Sequence, residues 1–200
     1  MSIEKLRKDI GGIDIYLLDQ ILKERYASDE VIFDAGCGSG RNLKWFYENK
    51  YSLYGVDANA NSIESAKEKY PKLTENFSVQ NLDVLSFDNN SFDHVICSAV
   101  LHFAQNTQHF YNMFSELVRV VKMNGTIFVR MTSIQGLENL VSHISNGVYT
   151  LPDKTNRFLL NEVLLLEVMD KYNLSLLEPK KAVLVSKERS MCTLVFKKNK

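Results

Sequence analysis

The chain has 200 residues, 45% of them hydrophobic, and 24 lysines and arginines balance 24 aspartates and glutamates. That length and apolar content suit a single domain spanning 1–200 with a real core and exclude a disordered chain. The balanced charge excludes a global field that would attract nucleic acid or an anionic membrane. The opening "MSIEKLRKDI" is too charged for a secretory signal, and no apolar run nears the roughly 18–20 residues that cross a bilayer; "VLLLEVM" is interrupted by Glu167. Cys37, Cys97 and Cys192 form an odd set without paired spacing, and there is no CxxC, HExxH or histidine cluster. The expectation is reduced thiols, a cytoplasmic protein and no metal site.

Residues 13–25 place Leu17, Leu18, Ile21 and Leu22 on one helical face. "VIFDA" (31–35) is an apolar run that ends in turn chemistry, as a buried strand does. A helix is predicted over 41–49, a second strand at "SLYGVD" (52–57), and a helix over 61–69 with Asn61 and Glu64 spaced like a capping box. "FSVQNLDV" (77–84) and "FDHVICSAV" (92–100) read as strands three and four. Residues 109–122 carry the clearest helical stripe, Phe110, Met113, Phe114, Leu117, Val118 and Val121, with Asn124-Gly125 expected to end it. "TIFVRM" (126–131) is strand five; 132–158 lacks periodicity; 160–172 is helical through Leu165, Val168, Met169 and Tyr172. Runs at 174–185 and 191–197 should pair antiparallel, because no helix separates them.

Alternating strands and helices imply an α/β fold: a doubly wound, mostly parallel, seven-stranded sheet with helices on both faces and an antiparallel C-terminal strand. Ligands of such sheets sit beyond the carboxyl ends of the strands, where "FDAGCGSGRN" (33–42) follows strand one. Glycines there let a ligand approach the backbone. Their spacing, Gly36, Gly38 and Gly40, is not the G-x-G-x-x-G of dinucleotide sites, and Asp34 beside them disfavours phosphate and favours an ammonium group. Asp57, at the end of strand two, suits a ribose diol, and Asp83 and Val84, after strand three, suit an adenine edge. The ligand so described has an amino-acid end, a ribose and an adenine, without phosphates.

With "VIFDAGCGSGRN", "LYGVDAN", "NLDVLSFDNNSFDHVICSAVLHF" and "LVRVVKMNGTIFVR" in this order, the chain resembles the class I S-adenosylmethionine-dependent methyltransferases over roughly residues 28–131. "GCGSGRN" is also similar to small bacterial methyltransferases of the tellurite-resistance type. The resemblance implies S-adenosyl-L-methionine as cofactor and S-adenosyl-L-homocysteine as product. Asp34 and the backbone of Gly36, Cys37, Gly38 and Gly40 would hold the methionine part. Asp57 would bind the ribose, Ala58 would lie against the adenine, Asp83 and Val84 would read its edge, and Ser98 and Val100 would floor the site.

The chemistry expected is in-line methyl transfer to a small-molecule nucleophile, by a monomer or homodimer. His102, just past strand four, is the catalytic or substrate-contacting candidate, set against plain packing. The segment 132–158 is expected to cover the substrate, with Tyr149 and Arg157 as possible contacts and Arg157 suited to a carboxylate. The small side chain of Cys37 is not expected to be a nucleophile, and Tyr16, Trp45 and the aromatics of 110–114 read as packing. Two rivals are a nicotinamide oxidoreductase, disfavoured by the glycine spacing and Asp34, and a non-catalytic partner protein that keeps the fold.

Overall fold

The computed structural model describes residues 2–200. Ser2 caps α1 (Ile3–Ile10) and Asp14 caps α2 (Ile15–Leu22), each side chain accepting a first-turn amide. α1 was not legible as an element; it buries no residue. Next come β1 (Val31–Ala35), α3 (Lys44–Glu48), β2 (Ser52–Asp57), α4 (Ala60–Lys69), β3 (Phe77–Val79), β4 (Phe92–Ser98), α5 (Thr107–Val120) and β5 (Val121–Thr132). The chain continues through β6 (Ser142–Ser145), β7 (Val148–Thr150), β8 (Asn156–Phe158), α6 (Glu162–Lys171), β9 (Leu174–Leu176), β10 (Lys181–Val185) and β11 (Arg189–Lys198).

The main sheet runs β10-β11-β5-β4-β1-β2-β3, with β9 also paired to β11. All pairs among β1 to β5 are parallel, and β11 runs antiparallel to β5, β9 and β10. Side chains alternate across the strands and sort the core into two layers. Phe33, Val95, Ile127, Val129, Leu194 and Phe196 pack with Phe110, Phe114 and Leu117 of α5 and Leu165 of α6. Ile32, Leu53, Ile96, Phe128 and Val195 pack on the opposite face with Leu17 of α2, Phe46 of α3 and Ile63 of α4. Helices therefore cover both faces, as a mostly parallel sheet requires.

The expected seven strands become eight in this sheet. The run 174–185 breaks at Glu178-Pro179, where proline has no N–H for the ladder, and its halves pair with different parts of β11. The helix expected over 41–49 is confined to Lys44–Glu48, preceded by turns over 38–43. α4 is capped by Asn59, which accepts from the amides of Asn61 and Ser62, in place of the box expected at Asn61 and Glu64. α5 ends at Val120, and Val121 is already extended; Asn124 (φ 63°) forms a turn inside β5, where the β4–β5 register shifts. Within 132–158, β6, β7 and β8 form a separate antiparallel sheet. Asn146 and Gly147, both at positive φ, connect its first two strands, a common hairpin turn pair. Among the described residues no helix is long and apolar enough to cross a membrane.

Candidate functional site

β1, β2 and β4 lie side by side, so the segments that leave their carboxyl ends converge. There they enclose a cavity of about 800 Å3 lined by Gly36, Asp57, Ala58, Asp83, Ser98 and Val100 among others. These six were expected at a cofactor. Asp34, Cys37, Gly38, Gly40 and Val84 do not line it, nor do His102, Tyr149 and Arg157.

The glycine loop is shaped from both sides. A Cβ on Gly36 would lie 2.3 Å from Val100 Cγ2, so the loop and the cavity floor touch backbone to side chain. Asp57 ties the glycine loop to the β2–α4 turn: its Oδ2 accepts from the Gly38 amide and its Oδ1 from the Asn59 amide, both at 2.9 Å. An ionised carboxylate has about four acceptor positions, so each oxygen keeps one for a ligand hydroxyl. Cys37 is buried, with its Sγ 3.0 Å from where a Gly55 Cβ would stand. Burial, with Asp34 and Asp57 nearby, holds its thiol far above the ordinary range, so it is protonated and unreactive.

Asp34 is 1% exposed, and neither carboxyl oxygen has a hydrogen-bond partner. Burial, aided by Asp57 and opposed by Arg41, raises its pKa to about 7. A buried carboxyl with nothing to bond to is costly on its own and favours a cationic or hydrogen-donating partner. Asp83 lies in the cavity wall. The Val84 amide donates to Asn81 O at 3.3 Å within the turn, and its side chain is exposed. Ser98 Oγ donates to Asp14 Oδ2 at 3.3 Å, so the hydroxyl is held by the protein itself.

His102 sits in a 3₁₀ turn (Leu101–Phe103), buried, with Nδ1 unpartnered. Burial and the charges of Arg157, Arg189 and Arg130 lower its pKa to about 4, so the ring is neutral near pH 7 and is a weak base. Tyr149 and Arg157 are directly opposed across β7 and β8, and the Arg157 guanidinium lies 4.9 Å from the Phe103 ring centre.

Sequence reasoning missed one whole wall of the cavity. Gln105, just before α5, and Gln108, His109 and Asn112, in its first turns, line it with Phe103. Their spacing of three to four residues, opposite the Phe110–Phe114–Leu117 stripe, is a polar helical face that was readable. It also missed the buried cluster at Asp14, whose Oδ2 accepts from Arg130 at 2.8 Å and whose amide donates to Asn42. No local pattern marks that contact, which joins residues 116 positions apart.

A family model described as a methyltransferase domain matches residues 33–129. An uncharacterized methyltransferase of Bacillus subtilis, YodH, is 29% identical over 103 residues, 50% of this chain and 42% of that protein. The chain spans under half the length of the curated relatives it matches. Among solved structures, an S-adenosylmethionine-dependent methyltransferase from Methanosarcina mazei has a TM-score of 0.71 at 18% identity, covering 90% of this chain and 97% of that one. Magnesium protoporphyrin IX methyltransferase from Synechocystis, solved with bound S-adenosylhomocysteine, has a TM-score of 0.71 at 17% identity, covering 92% and 81%. At these identities the likeness speaks for the fold.

Proposed function

We propose, from the premise that this chain belongs to the class I S-adenosylmethionine-dependent methyltransferases through its methyltransferase domain at 33–129, that it methylates a small-molecule nucleophile. The observation that carries the reading is Asp57: a carboxylate at the end of β2, in the cavity wall, with each oxygen holding one loop amide and keeping room for a hydroxyl.

The residues present fit S-adenosylmethionine. Asp57, with one acceptor position free on each oxygen, suits a ribose, Asp83 in the cavity wall suits an exocyclic amine, and Asp34, buried outside the cavity lining with both oxygens unpartnered, favours an ammonium group nearby through its field. A diphosphate fits less well: the glycine loop runs through turns into a helix of only five residues, and Asp57 takes the Gly38 amide that a phosphate would need. When bound, the cofactor supplies a methyl group already activated on a sulfonium. The chain's own part is to bind, align and exclude water. Val100 and Phe103 supply apolar surface beside the cavity, and alignment alone can contribute about 7–11 kcal/mol. His102 takes part as a neutral ring, which suits an acceptor that needs no strong base. Residues 132–158, folded as β6–β8 and reaching Phe103 through Arg157, serve as the substrate cover within one 1–200 domain.

Calorimetry with S-adenosylmethionine and with NAD should show binding of the first alone; binding of NAD in its place would overturn the reading. Asp57→Ala should weaken S-adenosylmethionine binding by at least ~1.5 kcal/mol, the lower range for a hydrogen bond to a charged group. Release of S-adenosylhomocysteine across thiols, phenols, amines and carboxylates would then identify the acceptor atom.

A further inference from the structure

We propose, resting on the methyl-transfer reading, that the acceptor carries a carboxylate and that Arg157 is the residue that selects it. Three arginines act electrostatically on His102: Arg157, Arg189 and Arg130. Two are neutralised, Arg130 by Asp14 at 2.8 Å and Arg189 by Asp153. Among the described residues no carboxylate lies within salt-bridge distance of Arg157. Its one hydrogen bond runs from Nη1 to the adjoining Asn156 carbonyl, which leaves Nε and Nη2 available as a fork.

The surplus guanidinium is placed by the fold. β8 holds Arg157 directly opposite Tyr149, and β7 holds Tyr149 opposite His143, so the three share one face of the small sheet. The guanidinium carbon stands 4.9 Å from the centre of the Phe103 ring, and that ring is 59% exposed and lines the cavity. Beside it lies His102, 93% buried by its 7% exposure and with an unpartnered Nδ1. The cavity lining carries Asp57 and Asp83, which repel an anion. A ligand with one negative charge is therefore oriented, anionic end at Arg157 and the remainder in the cavity. One unpaired positive charge matches a monoanion, and the planar fork matches a carboxylate. A dianionic phosphate would carry one negative charge more than this single guanidinium offsets.

The test uses the full chain with benzoate, benzamide and phenyl phosphate as probes, titrated by NMR with and without S-adenosylhomocysteine. Arg157→Met, Arg157→Gln and Arg157→Lys are compared with the parent, and thermal melts confirm folding. Benzoate should bind at least 10-fold tighter than benzamide or phenyl phosphate; R157M and R157Q should remove that preference, and R157K should restore part of it. S-adenosylhomocysteine affinity should be the same in all four proteins. Equal binding of benzoate and benzamide, no benzoate binding, preference for phenyl phosphate, or a preference that survives R157M and R157Q would each overturn the proposal. Failure to bind S-adenosylhomocysteine with the benzoate preference intact would sink the methyl-transfer reading and leave the carboxylate site standing.

Discussion

At Gly40 a methyl group would come within 2.5 Å of Tyr70 Cε2, whereas at Gly38 it would meet nothing within 4 Å. Both residues sit at positive φ, 72° and 54°. Tyr70 is fully buried, and its hydroxyl donates to the Gly40 carbonyl, so the ring cannot retreat cheaply. Gly40→Ala should therefore cost on the order of 2–4 kcal/mol, overpacking plus left-handed strain. Gly38→Ala should cost only the strain, about 1–2 kcal/mol. Melting curves of the two variants check the difference. Asp34 gives the pH prediction. Its pKa rises from 3.8 to about 7 on folding, so between those values the folded state holds the extra proton. Stability then falls as pH rises through that window and levels off above it. Asp34→Asn should flatten the fall and exceed the parent at pH 8 by a few kcal/mol, at ~1.4 kcal/mol per pH unit, while losing S-adenosylmethionine affinity. Melting temperature between pH 4 and 8 reads the sign directly.

Elements that bury a full stripe were legible, and elements held by distant partners were not. β1, β2, β4 and α5 announce themselves because each supplies apolar residues at its own period to a core layer. β6, β7 and β8 are three or four residues each, too short for a period to show, and their partners are one another. Only "NG" at 146–147 betrays the hairpin. The site divides in the same way. Asp57 and the glycines follow strand ends and can be found by counting, whereas Asp14 meets Arg130 only once α2 folds against β5. The small sheet is tied down at identifiable points: Asp153 pairs with Arg189 of β11, and Thr107 Oγ1 donates to the Asn146 carbonyl. Asp153→Ala removes a partly exposed ion pair, so global stability should drop by no more than ~1 kcal/mol. Local order should change more. Faster limited proteolysis within 148–158, with a nearly unchanged melting temperature, is the expected result.

For the molecule as a whole, the parallel strands place the cavity at one end of the sheet, and the two core layers pack against the sheet's opposite faces. Phe128 shows how the layers are joined: it is 1% exposed, it packs toward α2–α4, and its neighbours Ile127 and Val129 pack toward α5. β11 has a further consequence, one of folding order. It lies between β5 on one side and β9 and β10 on the other, and within the main sheet neither β9 nor β10 has another partner. Those two segments cannot be secured until β11 has docked, and β11 docks on a strand roughly 60 positions earlier in the chain, a non-local step that closes late. In native-state hydrogen exchange the β11 amides that donate to β5 should open only with global unfolding, while β10, with one edge free, exchanges through smaller openings. The strand that runs against its neighbours thus doubles as the latch of the cooperative unit, and its exchange rate would measure the stability of the whole.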